Sequence, residues 1–147
     1  MKDQVYAFCD TFVMEKILMI RKEMKRVQEA LGSESKNTAG DKHETGRAML
    51  QLEREKLGKR LFEAERMKKA LQKVTHNNST AIVTLGSLIE TEGPSYYIAI
   101  SAGKTTIGNT DIYCISSLTP LGQLFLGKKV GDSIHFNQQE YRITKIW

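Results

Sequence analysis

The chain has 147 residues, 40% apolar and 27% charged, which is typical of a folded protein with one ordinary domain or two small ones. It contains no apolar run of about 18 residues, and its N-terminal segment is charged, so the sequence predicts neither a membrane span nor a signal peptide. We therefore expect a cytoplasmic protein. Cys9 and Cys114 lack metal-binding spacing, and we expect both to be buried, reduced thiols.

The formal charge of +5 is confined to the first half of the chain. Residues 1–77 hold 17 Lys and Arg against 12 Asp and Glu, whereas residues 78–147 hold 5 of each kind. A basic helical surface favours a polyanionic partner such as nucleic acid or a nucleoprotein machine. It is also typical of the solvated exterior of two paired helices, and both interpretations remain open.

Apolar residues in the first half recur at alternating spacings of three and four, which is the pattern of a helix seam. They are Val13, Ile17, Ile20, Met24, Val27 and Leu31, and then Leu50, Leu57, Ala64, Met67, Leu71 and Val74. The segment between them, residues 32–40, has low helix propensity and favours a turn. The pattern predicts two helices of about 30 residues that pair as an antiparallel hairpin.

Two carboxylates, Asp41 and Glu44, lie three residues apart in the predicted break between the helices. The turn of such a hairpin is remote from any cleft of its own chain, so we expect another macromolecule to complete any site that they join. Both groups should be ionised at neutral pH, but alone they would bind Mg²⁺ weakly, because this ion keeps waters and requires further donors. The same spacing also fits a capping box, in which Asp41 caps the second helix.

The second half of the chain reads as β structure after a polar run at residues 75–79. Strands are predicted at residues 81–85, 96–101, 112–116, 133–136 and 140–146. Thr119 and Pro120 indicate the start of a short helix and Gly127 its end. The predicted fold class is α+β, with a coiled-coil helical hairpin over residues 1–77 and a small antiparallel sheet with one short helix over residues 78–147.

The sequence Thr-Pro-Leu-Gly-Gln-Leu-Phe-Leu-Gly-Lys-Lys-Val-Gly-Asp at residues 119–132, followed by Glu-Tyr-Arg-Ile at 140–143, resembles the C-terminal domain of the bacterial Gre transcript-cleavage factors. Members of that family join an N-terminal coiled-coil hairpin to an FKBP-like globular domain. Their hairpin tip carries Gly-Asp-Leu-Ser-Glu-Asn, where this chain has Gly-Asp-Lys-His-Glu-Thr at residues 40–45. The two acids match in identity and spacing, whereas their neighbours differ.

The resemblance implies a transcription elongation factor that is not an enzyme by itself. It would bind RNA polymerase, insert the hairpin into the secondary channel and stimulate the polymerase's own cleavage of backtracked RNA. Asp41 and Glu44 would help to hold a Mg²⁺ ion of the polymerase active centre, or its water. The resemblance also places a polymerase-binding loop at Pro120, Leu121 and Gly122, for which ordinary helix-start chemistry is the alternative.

Further residues and functions remain open at this point. Lys42 and Arg47 carry the charge needed to contact RNA phosphate, and His43 is either a proton shuttle or a solvated turn residue. Lys42 and His43 also fit a secondary-channel regulator that does not promote cleavage. The remaining alternatives are a peptidyl-prolyl isomerase, which needs an aromatic-lined pocket, and a holdase chaperone. We expect a monomer that contacts nascent RNA only through the polymerase and has no membrane partner.

Overall fold

The structure is a computed structural model that describes residues 1–35, 40–75 and 81–147, without the side chains of residues 34, 35 and 40–43. The chain forms two compact units. One contains Met1–Phe12 and Lys68–Trp147, and the other contains Val13–Met67. None of the helices in the described residues is long and apolar enough to cross a bilayer. The predicted domain boundary at residue 77 lies outside the described residues.

Two long helices make up the first half of the chain, α1 over Lys2–Ser35 and α2 over Gly40–Gln72. Each carries the narrow apolar stripe that the sequence predicts, and a partner helix is the surface that can bury such a stripe. Within the unit Val13–Met67, the most buried members of the two stripes are Val13, Ile17, Ile20, Val27 and Leu31 on α1 and Leu57 and Ala64 on α2.

Ion pairs between the two helices show that the helices run in opposite directions. Arg26 donates a hydrogen bond of 2.6 Å to Glu53, and Arg21 lies 3.6 Å from Glu65. As the residue number rises on α1 it falls on α2, so the two helices are antiparallel. The predicted helical hairpin is therefore confirmed.

Six strands form one sheet in the second half of the chain, in the order β3-β4-β2-β1-β6-β5. The strands are β1 (Leu88–Thr91), β2 (Ser95–Ala99), β3 (Gly103–Ile107), β4 (Thr110–Ser116), β5 (Ser133–Phe136) and β6 (Gln139–Ile146), and helix α3 (Pro120–Phe125) precedes β5. The α+β fold class is confirmed, but the sheet is mixed, because β2 and β4 are parallel. This parallel pairing arises because β3 forms the edge of the sheet and the β3–β4 hairpin brings β4 beside β2.

The predicted strand at residues 81–85 is not formed. Its hydrogen bonds go to the segment after α3: Val83 donates to Lys128 at 2.7 Å, and Gly127 donates to Val83 at 2.9 Å. Gly86 then turns the chain with a φ of +90° before β1 begins. A run of β-branched residues can therefore form loop contacts instead of a strand when its hydrogen-bond partners lie outside the sheet.

Strand β2 is buried along its whole length because both faces of the sheet are covered there. Tyr96 and Ile98 belong to a core cluster on one face, together with Phe125 of α3. Tyr97 points to the opposite face, which meets Cys9 at the start of α1. A strand covered on both faces has apolar side chains in succession instead of alternation.

Candidate functional site

The predicted acids lie at the start of α2. The helix begins at Gly40, so the backbone of Asp41 is already helical and does not occupy the position before the first helical residue, where a cap lies. The side chains of residues 41–43, including Lys42, lie outside the described residues. The side chain of Glu44 is exposed, and that of Arg47 is partly buried.

The chemistry that the described residues offer at this end of α2 is that of one exposed carboxylate, Glu44. Positions three apart on a helix share a face, so the spacing of Asp41 and Glu44 is compatible with one shared ligand. The exposed carboxylate of Glu44 provides the kind of oxygen donor that Mg²⁺ prefers, and the remaining donors must come from water or another molecule. Within the part of the chain that the structure describes, no group of three or more His, Cys, Asp and Glu side chains is placed to hold a metal ion.

An open, mainly apolar groove of about 620 Å³ lies in the hairpin unit, within a few turns of Glu44. It is lined by Ala30, Gly46, Met49, Leu50, Leu52, Glu53 and Lys56. Met49 and Leu52 are exposed although they are large and apolar. Sequence reasoning missed them because they lie outside the stripe that forms the helix seam.

Helix α3 begins with the capping threonine and the proline that the sequence predicts. The Thr119 hydroxyl accepts a hydrogen bond of 3.1 Å from the amide of Gly122 and donates one of 2.7 Å to the carbonyl of Ser116. Pro120 is the first helical residue and is exposed. The cap satisfies a backbone donor that would otherwise lack an intrahelical partner.

The three residues predicted to form a polymerase-binding loop differ in accessibility. Gly122 is buried, and a Cβ there would lie 2.2 Å from the Ser116 carbonyl oxygen. Leu121 is partly buried and packs against the core cluster. Only Pro120 is exposed, so the structure gives Gly122 a packing role and leaves Pro120 as the accessible member.

Exposed apolar residues stand on either side of Pro120 along the chain. We call Leu118, Pro120 and Leu124 the α3 patch; Leu118 is 78% exposed and Leu124 is 38% exposed. Sequence reasoning did not find the two leucines, because their exposure depends on how α3 packs on the sheet. The only signal in the sequence is that Leu118 stands between a strand and a helix cap and belongs to neither apolar pattern.

The end of the same motif forms turns. Gly127 and Gly131 have φ values of +80° and +93°, a region that favours glycine. The Asp132 carboxylate accepts a hydrogen bond of 2.9 Å from the amide of Lys129, and the Asp132 amide donates one of 3.0 Å to the carbonyl of the same residue. These residues of the motif therefore stabilise the fold.

No family model matches the chain, and no curated protein matches it. A solved structure titled "Structure of the transcription factor Gfh1" is similar over 91% of this chain and 90% of that one, with 20% sequence identity and a TM-score of 0.36. At this identity and TM-score the similarity assigns no role to any residue of the chain.

Proposed function

We propose that this chain is a transcription factor that binds RNA polymerase, inserts the hairpin into the secondary channel and stimulates cleavage of backtracked RNA by the polymerase's own active centre. The observation that carries the proposal is the acidic pair Asp41 and Glu44 at the start of the second hairpin helix. It occurs in a chain whose other half bears the Gre-like motif at residues 119–132. The hairpin and the exposure of Glu44 support the proposal.

In this proposal Asp41 and Glu44 act as ligands of a Mg²⁺ ion shared with the polymerase. Such an ion activates a water and offsets the charge that develops during phosphodiester hydrolysis. The chain's part is to supply one or two carboxylates on a helix, which is the number that Mg²⁺ usually takes from a protein. The isolated chain holds the ion weakly, and the polymerase supplies the other ligands.

Two basic residues flank the acids and can contact the nucleic acid. Lys42 lies between Asp41 and Glu44, and Arg47 follows Glu44 by three positions. A contact to phosphate orients RNA without reading its sequence. We propose this orienting role for Lys42 and Arg47.

The α3 patch is the proposed polymerase contact of residues 81–147, which we call the β domain. Leu118 is the most exposed large apolar residue on the described chain. A contiguous exposed apolar patch marks a protein interaction site. Apolar residues that become buried on binding carry much of the affinity of an interface. Pro120 is the residue of this patch that the sequence singles out.

A specific observation favours one other function, a channel-binding regulator that does not promote cleavage. Lys42 stands between the two acids in the sequence, and its positive charge would weaken the attraction of this end of α2 for a metal ion. Such a protein would occupy the same site on the polymerase without supplying an effective ligand. The two functions differ only in the chemistry at residues 41–44.

The aromatic residues of the β domain do not favour a peptidyl-prolyl isomerase. The ring centroid of Tyr96 lies 5.1 Å from that of Phe125, 5.9 Å from that of Tyr113 and 6.0 Å from that of Tyr141. Tyr96 and Phe125 are buried. These rings fill the core by packing on each other, whereas the isomerase needs them to line an open pocket.

The proposal is tested with a backtracked transcription complex that carries labelled RNA. The full chain is compared with Asp41→Asn, Glu44→Gln and the control Glu55→Gln, which removes an exposed carboxylate farther along α2. We expect the full chain and the control to accelerate cleavage, and each tip variant to lose about 10–100-fold of this acceleration, as for the loss of metal-site interactions. Binding without any acceleration would support the regulator instead, and failure to bind polymerase would overturn both functions.

A further inference from the structure

The open groove of the hairpin unit follows the axis of α2. Its lining on that helix extends from Gly46 to Lys56, and Ala30 is the lining residue from α1. The α2 members recur at spacings of three and four, so they share one face of the helix over roughly 15 Å. The groove is therefore long and narrow, and it lies beside the seam that joins the two helices.

Two large apolar side chains are exposed in this groove, on neighbouring turns of α2. Met49 is 67% exposed and Leu52 is 53% exposed, and both belong to the lining. Leu57 in the seam of the same helix is buried, so α2 has two apolar faces, of which only the seam is covered. A contiguous exposed apolar surface marks an interaction site, and methionine adapts its shape to a partner.

The one acid in the groove is already engaged within the hairpin. Arg26 donates a hydrogen bond of 2.6 Å to Glu53, so the charge of that carboxylate is compensated. Lys56 is the other charged lining residue, and it is exposed. The ion pairs among the described residues do not include Lys56. The groove therefore presents an uncompensated positive charge at one end.

Further positive charge continues along α2 from that end. Lys59 and Arg60 lie one turn beyond Lys56, and both are exposed. Side chains three and four apart share a helix face, so these three cations continue the face that lines the groove. Glu63, the next acid on this face, is paired with Arg66 at 3.5 Å. An apolar groove with cations at one end is complementary to an apolar surface that carries carboxylates.

We propose that this groove binds an acidic amphipathic α-helix of RNA polymerase. The apolar side chains of that helix pack on Met49 and Leu52, and its carboxylates lie beside Lys56 and the two cations that follow. A helix fits because the groove is walled by helical side chains, whose ridges and grooves accept those of another helix. The inference rests on the proposed function, because that function supplies the polymerase as the partner.

Other occupants fit the groove less well. Single-stranded nucleic acid binds by stacking its bases on aromatic rings, and the lining contains no aromatic residue. A two-fold contact between two copies of the chain would bring the same basic face to itself, which the repulsion of like charges opposes. The chemistry of the groove therefore favours an acidic protein segment.

The apolar contact is tested by fluorescence anisotropy with labelled full-length chain and core RNA polymerase. The variant combines Met49→Ser with Leu52→Ser. The control combines Leu18→Ser with Met19→Ser on α1, which are 62% and 70% exposed and lie outside the groove. We expect the groove variant to bind about 10-fold more weakly or worse, and the control to change by less than about 3-fold. Unchanged binding of the groove variant, at equal helicity by circular dichroism, overturns the inference.

The charged contact is tested with Lys56→Glu against Lys22→Glu, which reverses an exposed charge on α1. We expect Lys56→Glu to weaken binding more than the control does and to make the affinity less sensitive to salt, because a screened attraction has been removed. Equal losses for the two variants would mean that only the overall charge of the hairpin matters, which overturns the assignment of an acidic partner.

A photoreactive amino acid in place of Leu52 identifies the occupant directly. We expect it to crosslink to a helical segment of the polymerase that is rich in Asp and Glu, as identified by peptide mass spectrometry. A crosslink to RNA or to a second copy of the chain overturns the inference.

The cleavage assay separates this inference from the proposed function. At saturating concentration the groove variant should reach the cleavage rate of the unsubstituted chain, because Asp41 and Glu44 are unchanged. A chain that binds through the groove but never accelerates cleavage would refute the cleavage function and support the groove contact. A groove variant that binds and cleaves like the unsubstituted chain would refute the groove contact alone.

Discussion

Gly122 lies against the carbonyl of Ser116 so closely that a Cβ would come within 2.2 Å of the oxygen. We predict that Gly122→Ala destabilises the protein by about 1–3 kcal/mol, because either the helix or the loop must shift. The matched control is Gly58→Ala in the interior of α2, where a Cβ meets nothing within 4 Å. That change should stabilise the hairpin by about 0.5–1 kcal/mol, because alanine favours a helix over glycine.

Urea denaturation followed by circular dichroism measures both glycine variants. Opposite signs for the two substitutions are expected, since only one position is crowded. If Gly122→Ala leaves the midpoint unchanged, the close packing of α3 on Ser116 is wrong.

Tyr97 makes the stability of the sheet sensitive to alkaline pH. Burial, followed by the neighbouring Cys9 and Cys114, raises the pKa of its phenol. A raised folded-state pKa means that the unfolded chain loses this proton first, so the stabilisation is complete below pH of about 10 and declines as the pH rises further. The decline is at most about 1.4 kcal/mol per pH unit for each such group.

We predict that Tyr97→Phe flattens the fall in unfolding free energy above pH of about 10, which is the reference pKa of tyrosine. The control is Tyr113→Phe, at an exposed ring, which should keep the steep fall of the unsubstituted chain. Denaturant titrations at several pH values provide the measurement. Identical slopes for the two variants would contradict the account of Tyr97.

At the scale of the elements, the hairpin depends on its apolar seam more than on its ion pairs. Leu57 lies in the seam and is 4% exposed, whereas Leu52 on the same helix is 53% exposed. We predict that Leu57→Ala costs about 2–5 kcal/mol, because it leaves a cavity, and that Leu52→Ala changes stability by less than about 0.5 kcal/mol. The pair between Arg26 and Glu53 is exposed to solvent, so water and salt screen it and it contributes little to stability.

Thermal and urea unfolding at 222 nm compares the two leucine variants. Their different burial predicts a clear separation of the unfolding midpoints. Similar midpoints would mean that the seam is not the source of hairpin stability.

Helix α3 has a structural role in addition to the proposed binding role. Its cap and glycine hold it on the sheet, while the α3 patch faces solvent. We predict that Leu118→Ser weakens polymerase binding by about 10-fold or more, as expected for loss of an apolar anchor, with little change in melting temperature. The control is Val130→Ser, an exposed apolar residue outside the patch.

Fluorescence anisotropy with labelled chain and core polymerase measures this effect. A Leu118→Ser variant that binds as tightly as the unsubstituted chain, at equal fold stability, would exclude the α3 patch as the contact.

At the scale of the whole molecule, the hairpin was predictable from sequence and the sheet was predictable only in part. The seam from Val13 to Leu31 is a local, periodic signal, so it predicts its own helix. The parallel pairing of β2 and β4 is a non-local arrangement that no local pattern contains. Strand β3 was not predicted, because its sequence, Gly-Lys-Thr-Thr-Ile, lies at an exposed edge and lacks an apolar face.

The candidate site, like the sheet, was predictable from sequence only in part. Asp41 and Glu44 were singled out by their spacing, which is a property of the sequence, and their role as ligands stays a prediction. The exposure of Leu118 and the burial of Gly122 result from tertiary packing and became visible only in the structure. The helix-start motif of α3 was read correctly from sequence, but its accessible part was not.

The central claim is that this chain gives a polymerase-bound magnesium site the carboxylates of its hairpin. The most direct measurement is the length of nascent RNA in a backtracked complex, with and without the full chain, over a range of Mg²⁺ concentrations. The account predicts that the chain shortens the RNA from its 3′ end and lowers the Mg²⁺ concentration needed for half-maximal cleavage. An unchanged RNA at every Mg²⁺ concentration, with the chain bound to the complex, would contradict it.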